Sequence, residues 1–403
     1  MSSARILILT NGPLARNPRV VKEASTLGEA GYNVTVLGVA NHATSVPLDN
    51  ALAADTPFTH RVINLIAGPR AWTLRAQVRL ARDFAHRLRL PSIHALGPAR
   101  ALLSEARAHR ADLVIVHNEI AHWAGVRLLA EGRRVAVDFE DWHSEDLLPA
   151  DRADRPLALL RSVEHTLLHR AAAVTTTSEA LADALHARHG GRPPAVITNS
   201  FRLQPNPRTL QPVDSAEPPV FFWFSQTTGP GRGLEQFLAA WSRINRPSRV
   251  VFLGEVRGGY DRHLLGSVPE SLRPYLSFRP LVPPSDLPGV IARHDIGLAL
   301  EDSSIVNRDL TITNKILQYL NAGLAVIASD TAGQREVLAR GPSAGSLVPL
   351  HDTNAFASVL NGFLADPIAL RTRQAAARRL AEDHYCWEKE APHLLEHVAR
   401  ALA

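Results

Sequence analysis

Short apolar runs alternate with stretches whose apolar positions recur at helical spacing along most of the chain. In the first half the runs predict strands at 6–10, 34–38, 62–66, 113–116, 135–138 and 173–177, and residues 196–198 close this half. Residues 20–30 have helical spacing, with Gly31 at the end of the pattern. Residues 202–219 carry five prolines (205, 207, 212, 218 and 219) and no periodicity, which marks a linker. A second alternation then opens with a strand at 220–224, a glycine-rich loop at 226–233 and a helix from 234 to 241, and continues to about 367. A last helix is predicted over 387–401. Strands alternating with helices predict an α/β fold: two Rossmann-like, doubly wound parallel-sheet domains with a cleft between them. The expected division is 1–204, a linker at 205–219, 220–382, and a terminal helix at 383–403.

Composition narrows the class. A chain of 403 residues that is 45% hydrophobic can build two proper cores, which excludes global disorder. The one cysteine, Cys386, rules out internal disulfides and cysteine-based zinc sites and suits a reducing cytoplasm. The N-terminal MSSARILILT enters a strand directly and lacks the apolar core of a signal peptide. No apolar run is long enough to span a bilayer.

The formal charge of +5 is unevenly spread, because residues 70–89 hold six arginines and one aspartate. On a helix, Arg75, Arg79, Arg82 and His86 share one face and Leu74, Val78, Ala81, Ala85 and Leu88 another, with Trp72 and Phe84 at the boundary. That pattern suits a helix on an anionic membrane surface, or a domain helix with a solvated basic face. Nucleic-acid binding is disfavoured, since no recognition module accompanies the arginines.

Two segments carry candidate anion chemistry. Residues 314–330, NKILQYLNAGLAVIASD, predict a helix capped by Asn314, stopped by Gly323 and followed by a buried strand, with Lys315 at the helix start. Residues 220–241, VFFWFSQTTGPGRGLEQFLAAW, predict a strand, a loop containing Thr227 and Gly229, and a helix preceded by Arg232. Glycines there admit close approach of a phosphate, and a guanidinium can pair with a diphosphate. The loop after the first strand, NGPLARNPRVV, is not the dinucleotide fingerprint, which counts against a dehydrogenase. It offers Gly12, Arg16 and Arg19 instead. Polar residues also gather after two predicted strands: His117, Asn118 and Glu119, then Glu140, Asp141, His143 and Glu145. A histidine among carboxylates can orient a hydroxyl or take its proton; a hydrogen-bonded structural histidine is the other reading of His117. Nothing resembling a D-x-D metal motif follows a strand.

These segments resemble the retaining family four glycosyltransferases of the GT-B fold. SQTTGPGRGLE is similar to the family's strand-loop-helix at the start of the nucleotide-sugar domain, and NKILQYLNAGLAVIASD to its NK-x-x-E-Y motif. DFEDWHSED (138–146) resembles its acidic-histidine segment, and YCWEKE (385–390) the signature that opens its last helix. The resemblance implies a sugar transferred from a nucleotide-diphosphate sugar to a glycan, lipid-linked or small-molecule acceptor, as in polysaccharide biosynthesis. It further implies retention, no metal and no cofactor. The protein would be cytoplasmic or peripheral on the inner face of the membrane, with the last helix crossing back to the first domain. Gly12, Arg16, Arg19, Thr227, Gly229, Arg232, Glu301, Asn314, Lys315 and Gln318 would bind the donor. His117, His143, Arg232 and Lys315 would be catalytic. Asn118, Glu119, Glu140, Asp141 and Glu145 would face the acceptor. The chain departs from the pattern where relatives place two glutamates eight residues apart: it has Leu310 and Gln318, with Glu301 and Asp302 available to replace a hydroxyl contact. An inactive GT-B binding protein and a sugar-nucleotide epimerase are the alternatives. Sugar, base, acceptor, linkage and oligomeric state stay open.

Overall fold

A computed structural model describes residues 3–205 and 217–403, so most of the segment expected as a linker, 206–216, lies outside the described residues. The chain divides into two units, Met1–Ile197 with Ala391–Ala403, and Thr198–Glu390.

The first unit is built on seven strands: β1 (Arg5–Leu9), β2 (Asn33–Ala40), β3 (Thr59–Asn64), β4 (Leu113–His117), β5 (Val135–Phe139), β6 (Ala173–Thr176) and β7 (Ala195–Val196). They pair in the order β3-β2-β1-β4-β5-β6-β7, all parallel. β4 and β5 are buried throughout, as continuous apolar runs with helices on both faces must be. β3 falls earlier than its apolar residues suggested. THRVIN pairs with Thr35–Ala40 as an edge strand, so its polar residues remain exposed.

The second unit repeats the winding with β8 (Val220–Thr228), β9 (Arg249–Val256), β10 (Leu276–Arg279), β11 (Ile296–Ala299), β12 (Ala325–Ser329) and β13 (Gly345–Val348), in the order β10-β9-β8-β11-β12-β13. Alternate residues of β8 point to opposite faces. Phe221 and Trp223 join Phe237, Trp241 and Phe252 in one core, while Phe222 and Phe224 join Leu317, Tyr319 and Leu320 in another. β8 also runs four residues past its expected end at 224. Its register shifts between Phe224 and Thr227, after which Thr227 and Thr228 pair with Glu255 and Val256. In each sheet the winding reverses beside the first strand, between β1 and β4 and between β8 and β11, and strand ends at such reversals are where α/β proteins place their sites.

Residues 198–204, expected at the end of the first domain, belong to the second unit. Phe201 bridges to Cys386, Leu203 N–H donates to Glu388 (3.2 Å) and Gln204 N–H to Asn321 Oδ1 (3.1 Å). The last helix, Trp387–Leu402, starts in the second unit, and its residues from Ala391 pack with the first, where His397 Nε2 meets the Val174 carbonyl at 3.3 Å. No helix among the described residues is long and apolar enough to cross a membrane.

Candidate active site

β11 ends at Ala299 and delivers Glu301 to the reversal point of the second sheet, where its backbone N–H donates to Ser329 Oγ (2.8 Å). The helix Asn314–Ala322 is capped by Thr313, whose Oγ1 accepts from Ile316 N–H; Asn314, expected as the cap, sits inside the first turn. Gly323 ends the helix in the left-handed region, φ 70°, where a side chain would be strained. This start holds Lys315, only 7% exposed, with its ammonium on the Glu301 carboxylate. Arg232, just before the Leu234–Trp241 helix, gives Nη1 to the other Glu301 oxygen at 3.3 Å, and its side chain is 31% exposed. Gly233 between them has φ 70°, and a Cβ there would meet Leu350.

A third cation comes from a residue the sequence patterns did not mark. Arg308, in the short helix Val306–Leu310, gives Nη1 to the Gly231 carbonyl at 2.8 Å. It is close enough to act electrostatically on both Glu301 and Lys315. Burial alone would push the Glu301 carboxyl up, but Lys315, Arg232 and Arg308 outweigh it and hold the group below the usual carboxylate range. Burial lowers the Lys315 ammonium, with Arg232 and Arg308 adding to the effect and Glu301 opposing it. Three cations thus surround one buried carboxylate. Glu301, expected to contact a hydroxyl, has both oxygens taken and serves as their counter-ion. Gln334, fully buried, clamps Ser329 from below by donating to its carbonyl (2.8 Å) and Oγ (2.9 Å). Thr227 lies half-buried in β8 and Gly229 is buried just beyond it. Gln318 lies half-buried one turn along the helix from Lys315.

In the first unit the corresponding strand ends form a closed cluster. His117 at the end of β4 stands beside Asp138 of β5. Arg19, from the Pro18–Glu29 helix, pairs with both Asp138 oxygens and donates to the Ile197 carbonyl at 2.7 Å. His117 Nε2 lies 2.6 Å from Glu23 Oε2, and its Nδ1 3.4 Å from Asp138. Burial would lower the His117 pKa, but Glu23 and Asp138 outweigh it and raise it. The sequence placed Arg19 on the donor and His117 in catalysis; both are buried, His117 with no exposed surface at all. Asn17 caps the helix by accepting from Val20 N–H, so Arg19, in the first turn, points to the strand ends rather than to solvent. Glu23, His117 and Asp138 are close enough together for metal ligation. The Arg19 guanidinium already pairs with both Asp138 oxygens inside this set, so the set does not fit a resident metal ion.

The residues beside the cluster are more open. Asn118, at φ 67°, accepts from Thr10 Oγ1 (2.8 Å) and Asn11 N–H (3.3 Å), latching the first loop. Around Gly12 the space is open, and Arg16 is exposed beside His42. His143 Nδ1 lies 3.9 Å from Glu119, which accepts from Arg155 at 2.7 Å. Burial opposes ionisation of Glu119, yet His143 and Arg155 bring it down to about 2. The His143 ring is 5.4 Å from that of His122, whose Nε2 is 3.0 Å from the Asp138 carbonyl and whose pKa burial, with His143, lowers to about 3. Glu140 beside Asp141 moves the other way: burial of its carboxyl, then Asp141 and Asp138, push it up to about 7. Glu145, expected at the acceptor, is held by Arg152 (3.0 Å) and Arg161 (2.8 Å).

Comparison with known proteins gives a consistent outcome. Residues 17–200 match the family described as a glycosyl transferase 4-like domain, and residues 218–366 the family described as glycosyl transferases group 1. No curated protein matches the chain. Among solved structures, sucrose-phosphate synthase from Thermosynechococcus elongatus superposes with a TM-score of 0.71 at 17% identity, covering 98% of each chain. Anabaena HepE in complex with UDP-glucose gives 0.71 at 17% identity, over 98% of this chain and 99% of that one. S. aureus TarM, in a complex that includes UDP, gives 0.69 at 8% identity over 99% of both. Likeness at these identities is likeness of fold.

Proposed function

The chain belongs to the GT-B glycosyltransferases, and on that premise we propose that it moves a sugar from a nucleotide-diphosphate sugar to a hydroxyl acceptor, with retention and without a metal ion. The observation that carries this reading is the excess of positive charge at the second reversal point: Arg232, Lys315 and Arg308 around the single carboxylate of Glu301. Two cations share the one carboxylate, with Arg308 acting on it from nearby, and this leaves a positive site that the negative charge of a diphosphate completes. As the bond from the anomeric carbon to the diphosphate breaks, charge builds on the leaving oxygen, and pre-positioned cations at a helix start stabilise it without reorganising. Arg232 is the exposed member and meets the phosphates first; Lys315, held by Glu301, supplies a fixed ammonium behind it. Gln318 lies within one turn and serves the ribose hydroxyls as a neutral partner. In the first unit, His143 with Glu119 orients the acceptor hydroxyl or takes its proton. Structures of similar fold bind UDP and UDP-glucose, which agrees with this donor class.

Arg232→Ala and Lys315→Ala test the reading. Each charge-assisted contact contributes about 1.5–3 kcal/mol, so each variant should use a nucleotide-sugar donor about tenfold or more less well. The melting curve should hold for the partly exposed Arg232 and fall for Lys315, whose loss strips a buried carboxylate of its closest partner. Unchanged kinetics in both would remove the diphosphate from this site. Gln318, where relatives carry a carboxylate, favours a second reading, a binding protein without turnover. Nucleoside-diphosphate binding with no donor hydrolysis across a panel of nucleotide sugars would establish that instead.

A further inference from the structure

His143 sits in a turn after β5 that a buried carboxylate grips on both sides. Glu164, on the Leu157–Arg170 helix, is 2% exposed. It shares the inward face of that helix with Leu160, Val163, Leu167 and Leu168, where an apolar side chain would pack at no electrostatic cost. Its Oε1 accepts from the Ser144 N–H at 2.9 Å. Its Oε2 accepts from the Ser144 hydroxyl at 2.7 Å and from Trp142 Nε1–H at 3.2 Å. All three donors therefore come from the two neighbours of His143. The turn is tied elsewhere by Glu145 N–H on the Trp142 carbonyl (2.9 Å) and by Arg152 on the Ser144 carbonyl (2.6 Å). The imidazole itself is held less directly. Its Nδ1 is 3.9 Å from Glu119, beyond hydrogen-bond range, and its ring is 5.4 Å from that of His122. Its direction thus follows from the backbone of the turn.

We infer that Glu164 is a positioning residue, whose carboxylate fixes residues 142 and 144 and so aims the His143 imidazole at the acceptor hydroxyl. The inference rests on the transferase reading of His143. The chemistry of the grip explains why the residue is an acid. Ser144 N–H and Trp142 Nε1–H can only donate, and each meets a different oxygen. Both oxygens must accept, which a carboxylate does and an amide of the same shape does not. In Glu164→Gln either orientation of the amide sets its NH2 against a donor. Removing the indole donor relieves the conflict. In Trp142→Phe/Glu164→Gln the amide oxygen accepts from Ser144 N–H, and the NH2 donates to the Ser144 hydroxyl, which turns to accept it.

Two readouts on the full chain test this. The first is NMR of the protein with 13C-labelled histidine rings, in which the His143 signals are identified by their loss in His143→Gln. They should move or broaden in Glu164→Gln, and in Trp142→Phe/Glu164→Gln they should return to their places in Trp142→Phe alone. The second is turnover of a nucleotide-sugar donor. Misplacing a reacting group should lower kcat of Glu164→Gln about tenfold to 100-fold. The donor KM should hold, since the proposed donor contacts lie in the second unit, and the double variant should recover close to the Trp142→Phe rate. Ser144→Ala, which takes away the shortest contact and leaves the carboxylate two donors, is the milder probe should Glu164→Gln not fold. It should shift the His143 signals and lower kcat. A brace for the core alone would lower the melting temperature and leave kcat and the His143 signals where they are, and that result in Glu164→Gln or in Ser144→Ala would overturn the inference. So would a double variant no better than Glu164→Gln by either readout. His143 signals that respond as expected in a chain that uses no nucleotide sugar, or whose turnover His143→Gln leaves intact, would uphold the grip of Glu164 and remove the catalytic role of His143 instead.

Discussion

Two sheets of the same winding carry two charged clusters at the same topological position, and the clusters differ in one respect. In the first unit Arg19 pairs with Asp138, and His117 stands between Glu23 and Asp138, all buried and each facing a partner. In the second, Arg232 and Lys315 share the Glu301 carboxylate, Arg308 acts on it from nearby, and Arg232 reaches the surface. A balanced, closed cluster completes itself and holds strand ends together. On the proposed function, one with an excess of cations and an open edge is completed by an anion from outside. Burial and strand-end position are common to both, so on that reading charge balance and access separate structure from function.

The largest expected effect is on the balanced cluster. Asp138→Asn leaves the Arg19 guanidinium buried without its counter-charge, and breaking such a pair costs about 3–5 kcal/mol. Urea unfolding should show that loss, and added pyrophosphate should not restore it. Recovery by pyrophosphate would mean that this cluster also seeks anions, and the contrast would fail.

Next comes Arg308→Ala. Its guanidinium lies at the edge of the unbalanced cluster, so donor use should fall about tenfold, the low end for a charged hydrogen bond, while stability changes little. A lowered melting temperature with donor kinetics intact would make Arg308 a brace for the Gly231 loop and nothing more.

A third effect concerns pH. Glu140 is raised from 4.5 to about 7 in the folded state. Between those values the folded chain holds a proton that the unfolded chain has released, so stability falls as pH rises through the window and stays low above it. Glu140→Gln cannot ionise. It should match the wild type near pH 5 and melt higher than it near pH 8. Melting scans at the two pH values decide this, and a variant that melts lower at the higher pH would contradict the assignment.

How far the sequence was legible follows from the same contrast. The parallel sheets were readable because strands buried on both faces must be apolar throughout, as β4 and β5 are. β3 was displaced because an edge strand alternates and hides its start. The place of Lys315 and Arg232 at helix starts was readable from the glycine and strand signals around them. The inward turn of Arg19 and His117 was not. A charge beside a strand end looks the same in sequence whether it turns outward or inward, and the Glu23 that closes the cluster lies 94 residues from His117. Arg308 was invisible for a related reason, because its partner in the glycine loop is 77 residues away and its short helix has no motif.

Calorimetric titration of nucleoside diphosphates, UDP among them, into the wild type and into Arg232→Ala/Lys315→Ala tests the central claim most directly. The unbalanced cluster predicts saturable binding by the wild type, stronger for the diphosphate than for the matching monophosphate. The double variant should bind about 100-fold or more weakly, from two charged contacts of about 1.5–3 kcal/mol each. Equal affinity for mono- and diphosphate, or a double variant that binds as tightly as the wild type, would contradict it.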